Sequence, residues 1–234
     1  MMSRRTRGIF GSSSSSSSSA KRKGSSKAQP RVDMAAVREL FDRYEDHDEN
    51  PGSITMEGIS QLAEELGMDA AADVRVLVMC WKIGAQTPGA LLREEWEQGL
   101  ERLAVDSIEA LRSLLPSFDP GFLDRAEYRD FFRFTFQFSR EGTHKTIEKE
   151  IVEALLPMVL DSNRSPHLEG FLTFLAQCPP NTRITMDQWN SFLEFSYQVG
   201  PDLNEYDENG AWPTLLDEYV EFIRSPQESK ENGR

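Results

Sequence analysis

Tyr206-Asp-Glu-Asn-Gly-Ala-Trp-Pro-Thr-Leu-Leu-Asp-Glu-Tyr-Val-Glu-Phe222, together with the helix-like run that precedes it from Trp189, decides how the chain is read. Thr185 followed three residues later by Gln188 is a capping box just ahead of the apolar positions Trp189, Phe192 and Leu193, so a helix starts there. It is expected to stop near Gly200-Pro201, where a polar turn follows. Pro213 then occupies a tolerated first-turn position, and Leu216, Tyr219, Val220 and Ile223 fall on one face of a second helix. Two amphipathic helices therefore meet through an acidic loop.

Working outward, the same reading gives helices over most of the chain. Asp33 is a helix cap ahead of Val37, Leu40, Phe41 and Tyr44, and Thr55 caps a second helix carrying Met56, Ile59, Leu62 and Leu66. Val74 to Ile83 is apolar almost all round, which marks a helix buried on several sides. Leu92, Trp96, Leu100 and Leu103 give a fourth helix, and Ser107 caps a fifth through Ile108, Leu111 and Leu115. Asp119-Pro120 is expected to start a long helix to Phe138, whose phenylalanines are most simply core. Ile147 to Leu160 reads as a helix kinked or broken at Pro157, and Ser165-Pro166 as the opening of another that ends near Cys178-Pro-Pro180. The pattern predicts an all-α fold of about ten helices and no strand, in one compact domain over residues 32–226, with EF-hand-like helix pairs in its N-terminal half.

Outside that domain the composition changes. Residues 1–31 combine the serine run Ser12 to Ser19 with eight Lys/Arg and no acid, and such a stretch buries too little apolar surface to fold. A disordered tail is expected there, and another over 227–234. Lys21, Arg22 and Lys23 form a basic cluster of nuclear-import type, which a solvated linker would equally explain; an organelle transit peptide is a further reading of an Arg- and Ser-rich, acid-free start. Met2 stands where a myristoylation motif needs glycine. The expected location is nucleus and cytoplasm.

The net charge of -13 hides a division, because without residues 1–31 the chain holds 18 basic against 39 acidic side chains and stands at -21. An acidic body disfavours nucleic acid and favours a basic protein partner. No apolar run reaches the length of a membrane span. Cys80 and Cys178 read as reduced thiols of an intracellular protein. His47, His144 and His167 each sit in a polar or loop-like stretch without a partnered nucleophile, and there is neither a phosphate-cradling glycine loop nor a paired Cys-x-x-Cys site. No catalytic residue, metal site or cofactor is expected. The nearest approach to a metal loop runs from Asp46 to Glu57, with Asp46, Asp48, Asn50 and Glu57 at EF-hand ligand spacing. Pro51 occupies the position where that loop needs glycine, and Gly52 comes one residue late. A helix-pair connector is the simpler reading, and a calcium-responsive sensor the alternative function.

The Tyr206–Phe222 stretch, Asp187-Gln-Trp-Asn190, and three further blocks, Phe41-Asp-Arg-Tyr44, Val76-Leu-Val-Met-Cys-Trp-Lys82 and Tyr128-Arg-Asp-Phe-Phe-Arg-Phe-Thr-Phe-Gln-Phe138, occur in an order that closely resembles the Dcn-like (defective in cullin neddylation) family. The likeness runs from about residue 34 to 224 and covers its potentiating-neddylation domain. It implies a non-catalytic scaffold-type co-ligase, a monomer outside its complex, that promotes transfer of a ubiquitin-like modifier to a cullin. The family's acidic signature, which grips the basic winged-helix end of a cullin, falls on Asp187, Ala211 and Asp217. Its apolar cleft receives the acetylated N-terminus of the conjugating enzyme and falls on Met56, Ile59, Val76, Met79, Cys80, Ile83, Ala85, Leu91, Phe138 and Met158. Gly89 and Leu91 replace larger or aromatic residues of better-known members, and Leu155 stands where tyrosine is frequent.

Overall fold

A computed structural model describes residues 32–225, Ser162 excepted. The N-terminal tail, the Lys21-Arg22-Lys23 cluster and the domain's expected end at residue 226 lie outside the described residues. Among those residues there are ten α-helices. In the first half these are α1 (Met34–Tyr44), α2 (Met56–Leu66), α3 (Val74–Ile83), α4 (Arg93–Leu103) and α5 (Ile108–Leu114). The Asp33 carboxylate accepts from the Ala35 and Ala36 amides and so satisfies two otherwise unpaired donors of α1. Thr55 stands at the cap of α2 but makes no side-chain cap bond. At the other end of α3, the Arg102 guanidinium donates to the Lys82 and Ile83 carbonyls, which the helix itself leaves open.

Two short ladders, which the apolar pattern did not predict, tie helix pairs together. The first joins β1 (Ser53–Ile54), in the α1–α2 connection, to β2 (Leu91–Leu92), in the α3–α4 connection, with Ser53 opposite Leu92 and Ile54 opposite Leu91. Pieces of two residues are too short to carry an alternation, so they leave no period-2 signal. Close backbone approach accompanies this pairing. A Cβ on Gly58 would lie 2.1 Å from the Tyr44 carbonyl oxygen, and one on Gly99 would lie 2.3 Å from that of Ile83. Only glycine lets α2 reach the end of α1, and α4 the end of α3, at that distance.

The second half repeats the device with α6 (Arg125–Phe138), β3 (Thr146–Glu148), α7 (Lys149–Val159), α8 (Leu168–Gln177), β4 (Arg183–Thr185), α9 (Met186–Gln198) and α10 (Thr214–Arg224). β3 and β4 pair antiparallel, Ile147 opposite Ile184. Three boundaries differ from the sequence reading. The Asp119-Pro120 start is only a 3-10 turn over Pro120–Phe122, and α6 begins at Arg125 because Asp124 and Glu127 form the stronger, reciprocal capping box. Ile147 lies in β3 rather than in a helix, and α7 passes through Pro157 to Val159. A proline so near the helix end forfeits one backbone bond and stops nothing. The helix expected from Ser165-Pro166 begins at Leu168, after a turn that ends on His167.

The core of this half is aromatic. Trp189 on α9 stacks on Phe132 of α6, centroids 4.5 Å apart, and donates its indole N–H to the Phe132 carbonyl at 2.8 Å. That bond satisfies the one polar group a buried tryptophan brings with it. Phe171 of α8 stacks on Phe192 of α9 at 4.1 Å, and Tyr219 of α10 meets Phe171 edge-on. On α10, Leu215, Leu216, Tyr219 and Val220 are buried, while Ile223, expected on the same face, is exposed. α9 thus packs against α6 and α10, and through Phe192 against Phe171 of α8. No helix among the described residues is long and apolar enough to cross a membrane.

Candidate functional site

The geometry begins with the predicted capping box, which is formed: the Gln188 amide donates to Thr185 Oγ1 at 3.2 Å and the Thr185 amide to Gln188 Oε1 at 2.9 Å. It fixes the first turn of α9 and leaves Asp187 there, exposed, where a negative charge suits the positive end of the helix. At the opposite end Phe195, fully buried, is the floor for the following loop. Tyr206 and Trp212 pack on its ring at 6.1 and 5.4 Å. Within the loop, Gly200 donates to Glu205 Oε2, Leu203 to the Gly200 carbonyl and Gly210 to the Asp207 carbonyl. The turn these bonds describe leaves Ala211 exposed on the rim of an open hollow of about 410 Å³, lined also by Gln198, Val199, Glu205, Asp207, Gly210 and Trp212.

Asp217, in the first turn of α10, accepts a hydrogen bond from the Tyr206 hydroxyl at 2.5 Å. Burial, then the hydrogen bond to Asp217 and its charge, push the Tyr206 phenol up to about 12, so the hydroxyl remains a donor at any physiological pH. The Arg224 guanidinium sits 5.4 Å from the Tyr206 ring centroid and pairs with Glu208 at 2.6 Å. Between Ile184 and Arg224 the chain carries nine carboxylates, Asp187, Glu194, Asp202, Glu205, Asp207, Glu208, Asp217, Glu218 and Glu221, against Arg224 alone. Glu194 is turned away to Arg129 of α6, which holds its carboxyl below the usual range, and Glu208 is paired with Arg224, so among the described residues the other seven carboxylates of the set are in no ion pair.

The three sequence-derived positions are not one cluster. Ala211 and the Tyr206–Asp217 pair gather at the C-terminal end of α9, and Asp187 lies at its start, about 16 Å along the axis from Gln198 at the usual helical rise. Tyr206 and Trp212, which orient this face, were visible in the quoted stretch only as apolar residues; their roles come from the loop's return onto Phe195.

The ten cleft positions divide sharply. Ile59, Val76, Met79, Cys80, Ile83, Ala85, Leu91 and Phe138 are buried. Met158 is half-buried, and Met56 is half-exposed on α2. Met56 lies beside Gly89, its Cγ 3.4 Å from where a Cβ would stand on that glycine, and the Gly89 amide donates to the Phe138 carbonyl. These contacts bring Met56, Gly89 and the end of α6 to one place.

The Asp46 loop uses its ligand-type groups internally. Asp46 accepts from the Asn50 side chain and from the Glu49 and Asp48 amides, which in that order lower its carboxyl pKa. Among the described residues no group of three or more His, Cys, Asp or Glu is placed to hold a metal ion. The Cys80 thiol is buried and pushed up to about 12, and the half-buried Cys178 thiol is also raised, first by burial and then by Glu218, so neither is an activated nucleophile. His167 lies in the turn ahead of α8, as its loop-like context implied, yet it is almost fully buried, between Val199 and Tyr219.

Residues 110–222 match a family model described as cullin binding. The chain is 35% identical over 205 residues to DCN1-like protein 3 of Homo sapiens, covering 86% of this chain and 66% of that protein. It is 36% identical over 206 residues to DCN1-like protein 3 of Xenopus laevis, covering 85% and 65%. To defective in cullin neddylation protein 1 of Caenorhabditis elegans it is 30% identical over 221 residues, covering 85% and 74%. The chain therefore spans just under two thirds of the length of the DCN1-like protein 3 relatives.

Proposed function

Because the chain belongs to the Dcn-like, defective in cullin neddylation family, we propose that it is a scaffold-type co-ligase that binds a cullin and promotes transfer of the ubiquitin-like modifier to it. The observation that carries this reading is the face along α9 and the 200–213 loop, where carboxylates outnumber a single arginine and Ala211 stands clear on the rim. Such a face complements a basic winged-helix surface, steers its approach and fixes its orientation. Alanine at the rim admits a partner side chain that anything larger would hold off. The second partner is the acetylated N-terminus of the conjugating enzyme, entering beside Met56 and Gly89, where α2 and the end of α6 converge. With cullin and conjugating enzyme on one rigid body, the transfer becomes effectively intramolecular, and the chain's own side chains need supply no acid, base or nucleophile.

A reconstituted neddylation assay with a cullin C-terminal fragment tests this. Asp187→Ala, Ala211→Arg and Asp217→Asn together remove two negative charges and add one bulky positive one, and should abolish both cullin capture and stimulation while circular dichroism and melting stay near wild type. Rising salt should weaken the wild type in the same direction. Full stimulation by the folded triple variant would refute the assignment of the acidic face, and a modifier thioester trapped on this chain would refute the non-catalytic mechanism.

A further inference from the structure

His167 is 3% exposed, yet it does nothing in the scheme above. It closes the turn ahead of α8 and reaches both α10 and the C-terminal cap of α9. Its Nε2 lies 3.0 Å from the Val199 carbonyl oxygen and its Nδ1 3.1 Å from the Tyr219 hydroxyl. A carbonyl can only accept, so Nε2 carries the proton and Nδ1 accepts from Tyr219. The ring lies against Phe195 at 4.8 Å and Tyr219 at 5.8 Å. Beside it, the Ser165 and Ser196 hydroxyls meet at 2.7 Å, a second tie between the same turn and α9. Val199 is the residue from which the 200–213 loop departs, and Tyr219 follows Asp217 by two positions on the helix where the loop ends. One imidazole thus holds both ends of the loop that carries Ala211.

We infer that His167 is the positioning residue of the acidic face: its neutral Nε2–H form clamps the exit of α9 to the first turns of α10, and protonation releases the loop and weakens the partner's hold. This rests on the reading of that face as the cullin site. A proton on Nδ1 turns the acceptor into a donor, and the Tyr219 hydroxyl must then redirect its own hydrogen. The other acceptor it has is the His167 carbonyl, at 3.5 Å the limit of a hydrogen bond. The imidazolium would also be desolvated. From α10 the titratable group facing it is Tyr219, pushed up to about 12 by burial and so still a neutral donor. From α9 it meets the Phe195 ring and the Val199 carbonyl, and on its own helix Glu169 is exposed. Among the described residues none of these elements brings a carboxylate or a cation within ion-pair reach of either nitrogen.

Burial lowers the His167 pKa, partly opposed by the bond to the Val199 carbonyl. The folded value therefore lies below the unfolded one of about 6.5, and the unfolded chain binds more protons between the two. The clamp is at full strength above about pH 6.5 and is lost as pH falls toward the folded value.

The test measures binding of the full chain to a cullin C-terminal fragment by calorimetry between pH 7.5 and 5.5, for wild type, His167→Gln and Ala211→Arg. Glutamine offers a non-titrating N–H to Val199, so its profile contains every titration of chain and fragment except that of His167. Wild type is expected to lose affinity more steeply than His167→Gln as pH falls below about 6.5 toward the folded value. Reciprocally, the imidazole nitrogen resonances of wild type should show the Nε2–H tautomer, with a midpoint that drops further when the fragment is saturating. Equal slopes for wild type and His167→Gln would overturn the inference. Should the variant fail to fold, a wild-type midpoint that the fragment leaves unmoved would do the same. No wild-type binding at pH 7.5, or undiminished binding by Ala211→Arg, is a different result and overturns the cullin reading itself.

Discussion

Tyr206→Phe removes one oxygen and leaves the ring in place on Phe195 and beneath Arg224. What is lost is the 2.5 Å hydrogen bond to Asp217. A bond to an ionised carboxylate contributes about 1.5–3 kcal/mol when well shielded, and this pair is only half-buried, so a value at or below the bottom of that range, about 1 to 1.5 kcal/mol, is expected. With a urea slope of about 2 kcal/mol/M, the midpoint should fall by roughly 0.5 to 0.7 M at unchanged slope. The carboxylate keeps its charge but loses its direction, and cullin affinity should fall about five- to tenfold, the equivalent of about 1 to 1.4 kcal/mol. Asp217→Asn provides the contrast, because an amide oxygen still accepts from Tyr206: stability should barely move while binding drops through the lost charge. A double-mutant cycle of Tyr206→Phe with Asp217→Ala, which removes the acceptor, should show coupling in stability. If Tyr206→Phe unfolds at the wild-type midpoint and binds the cullin fragment as tightly as wild type, Tyr206 does not hold Asp217 and the argument for an oriented carboxylate fails.

Two further tests address the frame around the site. Gly58→Ala drives a methyl against the Tyr44 carbonyl at 2.1 Å and Ile54 Cγ2 at 2.8 Å, so α2 must retreat from α1; a loss at or above about 2 to 3 kcal/mol in urea unfolding is expected, and a loss below 1 would mean the helices can separate freely. Titrating calcium by calorimetry up to millimolar should give only heat of dilution, because Asp46 is already committed to its own loop; a saturable signal abolished by Glu57→Gln would revive the sensor function.

The helices were legible where a cap and a long apolar stripe coincided. Asp33 before Val37 to Tyr44, and Thr185 with Gln188 before Trp189, are cases in which local hydrogen bonding and burial point the same way. Misreadings arose where two local signals competed. Asp119-Pro120 resembles a helix start, yet Asp124 and Glu127 satisfy more donors five residues later, and the earlier signal yields only a turn. The ladders were invisible because each is made of two or three residues whose partners are distant in sequence. Of the site, the acidic excess was plain from composition, and the identities of Asp187, Ala211 and Asp217 came from family likeness. The Tyr206–Asp217 bond and the buried His167 arise from the return of the loop onto Phe195 and the packing of α8 against α9 and α10, and no local pattern encodes either.

The run of α9 between Asp187 and the hollow at Gln198 acts as a ruler. Eleven residues of helix set an interval of about 16 Å that neither end can change by itself. Inserting one residue midway would lengthen it by only about 1.5 Å but swing one end by roughly 100° around the axis, pointing one anchor away from the other. An unstructured peptide long enough to reach both anchors would surrender its freedom segment by segment to do so. A folded domain whose own basic groups already stand at that spacing loses far less, and the molecule thereby distinguishes a shaped partner from a merely positive one.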